Sequence, residues 1–226
     1  MKRLMTALVL SLIAATLQAE EIAGLELVGK SAEKTCTAEC AAGCTSGCPI
    51  EAAMAKLPKM SYLVGKESTC CSEAAAKLAK EHDAPVKFVV AEKSFDSEGA
   101  AMTALVAATE KFVADFTTTK ECKVSGKFTV AGKELCCNVM AGERAALAKK
   151  AMDNVKMAYL VGEKECNCPV EAATLAKATG ETKQFVVAGE KTCCDVTARL
   201  KLARAKYKAA VEALAKQDAP QTAEKS

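Results

Sequence analysis

The chain has 226 residues, of which 50% are hydrophobic and 26% are charged. This composition excludes both a disordered chain and a protein of many membrane spans. The formal net charge is +3, and without residues 1–19, which carry two basic residues and no acid, it falls to +1. A charge this small argues against nucleic acid or an anionic membrane as a partner. His82 is the only histidine beside 13 cysteines, so any site chemistry must depend on thiols.

Residues 1–19 have the pattern of a secretory signal peptide. Two basic residues precede an uncharged, mostly apolar run from Leu4 to Leu17, and the small Ala19 ends the segment. A membrane anchor is the alternative, but the run has about 14 residues and a bilayer needs about 20. We therefore expect a periplasmic or secreted protein whose mature form is not bound to the membrane, in a compartment where disulfides persist.

A ten-residue template recurs along the rest of the chain. An aromatic residue opens it, valine follows two positions later, a pair containing glycine comes next, and cysteine ends it. The full copies are 62–71, 128–137, 159–168 and 185–194. The segment 88–97 is the same template with Asp96 and Ser97 in place of the cysteine pair, and 27–36 resembles a looser sixth copy.

The copies form a larger duplication. Residues 60–91 match residues 157–188 without gaps at an offset of 97 positions. We therefore predict two pseudo-repeated halves of three modules each. The predicted boundaries are 23–120 for the first half and 121–216 for the second, with a disordered polar tail over 217–226.

The residues of one module predict a hairpin followed by a helix. Alternating aromatic residues and valines favour a strand, and the glycine-containing pairs suit two-residue turns with positive φ. These pairs are Gly65–Lys66, Ala131–Gly132, Gly162–Glu163 and Ala188–Gly189. An alanine-rich segment with strong helix propensity follows each copy. We predict an α+β fold of strand/hairpin–Cys-pair–helix modules; the alternative is an α/β fold with one strand per module.

The last alanine-rich segment carries apolar residues at helical spacing, and we expect them to lie in the core. They are Leu200, Ala203, Tyr207, Val211 and Leu214.

The second cysteine of each pair falls where a helix is predicted to begin. These residues are Cys71, Cys137, Cys168 and Cys194, and Cys48 takes the same position without belonging to a pair. A thiol there is close to the free N–H groups and the positive end of the helix dipole, which lower its pKa and favour the thiolate. The same place is equally suited to a structural disulfide.

The cysteine count leaves two uses open. The first half holds Cys36, Cys40, Cys44, Cys48, Cys70 and Cys71; the second holds Cys136, Cys137, Cys166, Cys168, Cys193 and Cys194; Cys122 lies between them. Six thiols per half suit either three disulfides or a multi-thiolate metal site. Thiols of two or three modules would have to converge to bind one ion, because neighbouring residues of a strand point to opposite faces.

Two spacings favour metal binding. Cys36, Cys40, Cys44 and Cys48 follow one another at i, i+4 steps, which would place neighbours on one helix face. The run Cys166-Asn167-Cys168 has the Cys-x-Cys step of thiolate-rich metal proteins. An all-sulfur site suits Cu(I) or Zn²⁺. No Cys-x-x-Cys occurs in the chain, which argues against a thiol–disulfide oxidoreductase.

The segment C-K-V-S-G-K (122–127), followed by F-T-V-A-G-K-E-L-C-C (128–137), resembles the YHS-type and related short cysteine domains of exported bacterial proteins. The resemblance implies metal binding by Cys122, Cys136 and Cys137. It covers about 16 residues, and Met140 stands where that family has a further cysteine. The whole chain also resembles secreted Cys-pair repeat proteins of planctomycete-type bacteria. This resemblance implies export and a repeated module, but it implies no activity.

These patterns predict an exported protein, not an enzyme, that binds a soft metal ion through some of its 13 cysteine thiolates. The alternative is a structural or interaction protein in which the same cysteines form disulfides. A thiol–disulfide oxidoreductase is the third hypothesis. The sequence names no protein partner and no catalytic residue.

Overall fold

The computed structural model describes residues 48–219. Several sequence predictions lie outside this range: the signal peptide, the looser copy at 27–36, Cys36, Cys40, Cys44, and the tail from Pro220 onwards.

The described chain consists of a short helix followed by five hairpin–helix units. The short helix is α1 (Pro49–Met54). The first two units are β1 (Met60–Val64), β2 (Glu67–Thr69) and α2 (Ser72–His82), then β3 (Val86–Val90), β4 (Lys93–Phe95) and α3 (Glu98–Phe116). The third unit begins with an additional strand, β5 (Lys120–Glu121), and continues with β6 (Phe128–Val130), β7 (Lys133–Leu135) and α4 (Asn138–Asp153). The last two units are β8 (Met157–Val161), β9 (Lys164–Cys166) and α5 (Pro169–Thr179), then β10 (Lys183–Val187), β11 (Glu190–Thr192) and α6 (Asp195–Asp218).

The strands form three antiparallel sheets, which makes the fold α+β. The strand orders are β2-β1-β3-β4, β5-β6-β7 and β11-β10-β8-β9. Every strand pairing among residues 48–219 is antiparallel, so the alternative of one strand per module with parallel pairing is wrong. The physical reason is that each template folds back on itself at its two-residue turn, and antiparallel strands need no longer connection.

The two four-stranded sheets have the same register at an offset of 97 positions. Tyr62 lies opposite Phe88 in one, and Tyr159 lies opposite Phe185 in the other. In both pairs the ring centroids are 5.7 Å apart, a spacing typical of favourable aromatic contacts. The aromatic residue that opens each template therefore packs across the central strand pair.

The predicted two-residue turns are confirmed. Gly65 and Gly162 have positive φ at the first turn position only, whereas Ala131–Gly132 and Ala188–Gly189 have positive φ at both. The copy without cysteines makes the second kind of turn without glycine, since Ala91 has φ 46° and Glu92 has φ 67°. A residue with a Cβ is strained in this left-handed region.

Helix α6 joins the separate parts of the core. Leu200, Ala203, Tyr207 and Leu214 are buried, as the helical spacing predicted, and Val211 packs beside them. Leu200 belongs to the cluster under the first sheet, together with Val90, Leu105 and Val106. Further along the helix, Tyr207 and Leu214 pack with residues of α3 and α4.

Tyr207 is the centre of the helical cluster. The rings of Phe112 and Phe116 meet its ring edge-on at centroid distances of 5.3 and 4.9 Å. Its hydroxyl donates a hydrogen bond of 3.3 Å to the carbonyl oxygen of Ala53 in α1. Burial of a tyrosine normally requires such a partner for the hydroxyl, so this contact fixes α1 against α6.

Helix α6 extends to Asp218, two residues into the segment predicted as a disordered tail. The Asp218 carboxylate accepts hydrogen bonds from Arg144 of α4 and from Lys133. These ion pairs hold the last turn of the helix, and no local pattern of residues predicts them. None of the helices between residues 48 and 219 is long and apolar enough to cross a bilayer.

Candidate metal centre

The predicted position of the second cysteine of each pair, at a helix start, is confirmed. Each of these cysteines is the residue directly before the first helical residue: Cys48 for α1, Cys71 for α2, Cys137 for α4, Cys168 for α5 and Cys194 for α6. Ser97 takes the same position before α3, where its hydroxyl accepts a hydrogen bond from the Ala100 N–H at 3.4 Å. Serine is among the preferred residues at this position.

The sheet topology separates the cysteines of neighbouring units. Strand β9 ends at Cys166, opposite Tyr159, and runs toward the Met157 end of the second four-stranded sheet, so Cys168 follows at that end on the β9 edge. Strand β11 ends at Thr192, opposite Phe185, and runs toward the Lys183 end, so Cys194 follows at the opposite end on the β11 edge. The two thiols therefore occupy diagonally opposite corners of the sheet, and this pair of units does not bring its cysteines together.

Cys166 is a core residue. Only 4% of its surface is exposed, and it packs with Tyr159, Phe185 and Ala172. It lies opposite Tyr159 in the hairpin, where the equivalent residue of the first unit is Thr69. The two cysteines of the Cys-x-Cys motif at 166–168 thus have different surroundings. Cys166 is the last residue of the strand and is buried, whereas Cys168 lies beyond the end of the strand and is exposed.

The three-stranded sheet brings thiols of two segments to one end. Glu121 lies opposite Phe128, and Phe128 lies opposite Leu135. Continued by one residue, these registers place Cys122 and Cys136 on either side of Lys127. The Cys122 N–H donates a 2.8 Å hydrogen bond to the Lys127 carbonyl oxygen, which fixes one side of this row. Two strand spacings separate the cysteine Cα atoms by about 10 Å.

The Cys122 thiol is exposed and lies where its thiolate is stabilised. The Ser125 hydroxyl holds the pKa of Cys122 below its usual value, with help from the N–H groups of Ser125 and Val124. The tight turn is closed by the Gly126 N–H, which donates to the Cys122 carbonyl oxygen at 2.8 Å. A lowered pKa matters because the thiolate is the form that binds metal.

Cys136 has a second sulfur beside it. Its thiol donates to the Met140 thioether sulfur, at a distance of 3.8 Å. Met140 lies one helical turn further along, at the start of α4, and is exposed. Ser125 was not singled out from the sequence, and Met140 was named only as the residue in place of a further cysteine, although the spacing of four residues between Cys136 and Met140 was available as a signal.

We name this place the Cys122 corner, and define it as Cys122, Ser125, Cys136, Cys137 and Met140. Cys137, before α4, is half-buried, whereas Cys136 is exposed. The corner therefore includes three thiols and one thioether, all of them soft donors; the Cys136 and Met140 sulfurs are in contact at 3.8 Å, whereas the Cα atoms of Cys122 and Cys136 are about 10 Å apart.

A second cysteine with a lowered pKa is Cys194. The backbone N–H of Thr197 has the largest effect on this pKa, followed by the Thr197 hydroxyl and the N–H of Val196. These N–H groups belong to the first turn of α6, so the free donors of a helix start favour the thiolate here as the sequence predicted.

The nine cysteines from Cys70 onwards are unpaired. Within residues 48–219, no three histidine, cysteine, aspartate or glutamate side chains lie close enough together to hold a metal ion. The Cys122 corner thus supplies soft donors without a complete preformed cage. Comparison of the chain with protein-family models, with curated proteins and with solved structures finds no match.

Proposed function

We propose that this protein is exported and binds a soft metal ion through cysteine thiolates at the Cys122 corner. The observation that carries the proposal is the register of the three-stranded sheet, which brings Cys122 and Cys136 to either side of Lys127. Cys137 follows directly. The same three cysteines are the ones that the resemblance to YHS-type domains implies as ligands.

The chemistry of the donors favours Cu(I) over Zn²⁺. The thioether of Met140 lies 3.8 Å from the Cys136 sulfur. Thiolates and thioethers are ligands that select Cu(I), while zinc sites use cysteine, histidine and carboxylates. The lowered pKa of Cys122 means that less proton competition opposes binding at neutral pH.

A matched pair of variants tests the proposal. Cys136→Ser removes a ligand at the corner, whereas Cys71→Ser removes an exposed thiol that occupies a helix start elsewhere. Ser97 shows that serine is accepted at that position in another unit. The assay is competition for Cu(I) against a chromophoric chelator, with the reduced mature chain under nitrogen.

We expect Cys136→Ser to weaken the tightest Cu(I) site by at least about tenfold, since loss of even an indirect partner of a metal ligand commonly has this effect. Cys71→Ser should leave that site unchanged. Equal affinity of Cys136→Ser and the parent chain would reject the Cys122 corner as the site.

Thiol counting in denaturant separates chelation from the alternative of disulfide staples. Chelation leaves the cysteines from Cys70 onwards titratable in protein purified without reductant, whereas staples leave at most one of them titratable. Cys168 and Cys194 are unpaired at separate corners of one sheet, which is too far apart for a disulfide between them, because a disulfide needs Cα atoms within about 7 Å; the same separation keeps these two thiols from sharing one ion.

A further inference from the structure

An open cleft lies where α1, α3, α4 and α6 meet the turn between β6 and β7. Its volume is about 590 Å³, which is within the range of pockets that hold small organic ligands. Most of its wall is apolar and aromatic, with Ala53, Phe112, Phe116, Tyr207 and Leu214 among the lining residues. A wall of this kind, with a few polar groups in it, is typical of a small-molecule site.

One buried cation in this wall lacks a full set of hydrogen-bond partners. Arg144 of α4 is only 7% exposed, and its two terminal nitrogens donate to the Asp218 carboxylate at 3.1 and 3.0 Å. The Nε–H of Arg144 is buried and has no acceptor among residues 48–219. Buried polar groups are normally hydrogen-bonded, and an unsatisfied one costs free energy. An acceptor that enters from the cleft would satisfy this donor.

The charges of the wall favour an anion as that acceptor. The charged residues that line the cleft are Lys56, Arg144 and Asp218, so cations exceed anions by one. The Asp218 carboxylate is already paired with both Arg144 and Lys133, whereas Lys56 is exposed. The cleft therefore combines an apolar surface with an excess of positive charge, which attracts an anion.

We infer that this cleft binds a small amphipathic carboxylate, a molecule with an apolar body and one anionic end. The apolar body packs against the rings of Phe112, Phe116 and Tyr207. The carboxylate accepts a hydrogen bond from Arg144 Nε and is attracted by Lys56. No residue of the Cys122 corner lines the cleft, so this inference goes beyond the proposed function and does not depend on it.

Two ligands that differ only in their polar end test the chemistry. Octanoate carries a carboxylate, and octan-1-ol has the same number of carbons with a neutral hydroxyl. Isothermal titration calorimetry of the reduced protein at neutral pH measures the affinity of each. We expect octanoate to bind at least about tenfold more tightly, because hydrogen bonds between charged groups are stronger than those of a neutral hydroxyl.

Matched variants locate the site. Ala215 lines the cleft from α6, whereas Ala213 does not, and both are partly exposed. Residues two apart on a helix do not face the same way. Ala215→Phe should therefore fill the cleft and abolish octanoate binding, whereas Ala213→Phe should bind octanoate like the parent protein. Circular dichroism without ligand checks that both variants fold.

A second matched pair tests the charge without altering the packing of the cleft. Lys56 and Lys59 are both exposed, and of the two only Lys56 lines the cleft. Lys56→Gln should weaken octanoate binding about two- to fivefold, as expected for an exposed ion pair. Lys59→Gln should leave the affinity unchanged.

Other results overturn the inference. Absence of octanoate binding would reject the cleft as a carboxylate site, and a cleft already covered by the remaining residues of the chain would give this result. Equal affinity for octanoate and octan-1-ol would show that the cations do not recognise the ligand. Binding that is the same in Ala215→Phe, Lys56→Gln and their controls would place the site elsewhere. None of these variants alters the Cys122 corner, so each of these results would leave the proposed function standing.

Discussion

Replacing Glu92 by glycine should stabilise the protein. Ala91 and Glu92 have φ values of 46° and 67°, a turn for which the equivalent units use Ala131–Gly132 and Ala188–Gly189. A left-handed residue with a Cβ costs about 1–2 kcal/mol. Glycine removes this strain, but it offsets about 0.5–1 kcal/mol of the gain because it makes the unfolded chain more flexible. Glu92→Gly should therefore raise the free energy of unfolding by about 0.5–1 kcal/mol.

Two companion variants make the test reciprocal. Gly189 has φ 83° at the same place in the fifth unit, so Gly189→Glu should lose a similar amount. Lys66 occupies the second turn position of the first unit without a positive φ, so Lys66→Gly should gain nothing and should lose up to about 0.5–1 kcal/mol. Urea unfolding with reductant, followed by circular dichroism, measures all three.

The pattern across the three variants decides the matter. If Glu92→Gly and Lys66→Gly change the midpoint of unfolding in the same direction and by the same amount, the sign of φ does not control stability at these turns. The reasoning about strain in the hairpins would then be refuted.

The remaining predictions concern an ion pair, a thiol and a core cysteine. Arg144 and Lys133 lower the pKa of Asp218. The ionised Asp218 carboxylate should therefore stabilise the fold fully above the usual pKa of 3.8, and this contribution should be lost as the pH falls through the lowered pKa. Asp218→Asn should lower the free energy of unfolding in urea by about 1–3 kcal/mol at pH 7, because it leaves the buried Arg144 without a charge partner. The loss is no larger because the carboxylate itself is partly exposed. A loss of the same size in acid would contradict this prediction. Ser125→Ala should raise the pKa of Cys122, seen as a shift of its iodoacetamide reaction rate to higher pH, and an unchanged profile would exclude the hydroxyl as the cause. Cys166→Thr should fold with native stability to within about 1 kcal/mol, as Thr69 does in the equivalent place, whereas Cys166→Asp should unfold the second sheet; tolerance of aspartate would show that this position is not interior.

The hairpin–helix units could be predicted from the sequence because each depends on contacts within about thirty residues. The alternation of Tyr62 and Val64, the turn residues and the alanine-rich segments all act locally. The position of Cys71 and Cys194 at helix starts follows from the same local pattern, and so does the lowered pKa of Cys194.

What the sequence could not supply depends on how the units are arranged. The diagonal separation of Cys168 and Cys194 results from antiparallel pairing between units, and an alignment of templates contains no such information. The spacing of Cys166 to Cys168 predicts a possible metal ligand, although the match of Cys166 to Thr69 in the aligned copy indicates an inward position. At the Cys122 corner, the three thiols were predicted through a resemblance, while Ser125 and Met140 became evident only when the turn and the first turn of α4 were in place.

Helix α6, the last helix of the described residues, is needed to complete the core under the first sheet. Leu200 completes the cluster under the first sheet, although the strands of that sheet precede it by more than a hundred positions. Pairings so distant in sequence slow folding. The first sheet and α3 can therefore pack locally through Val90 and Leu105, but their cluster is incomplete until α6 supplies Leu200.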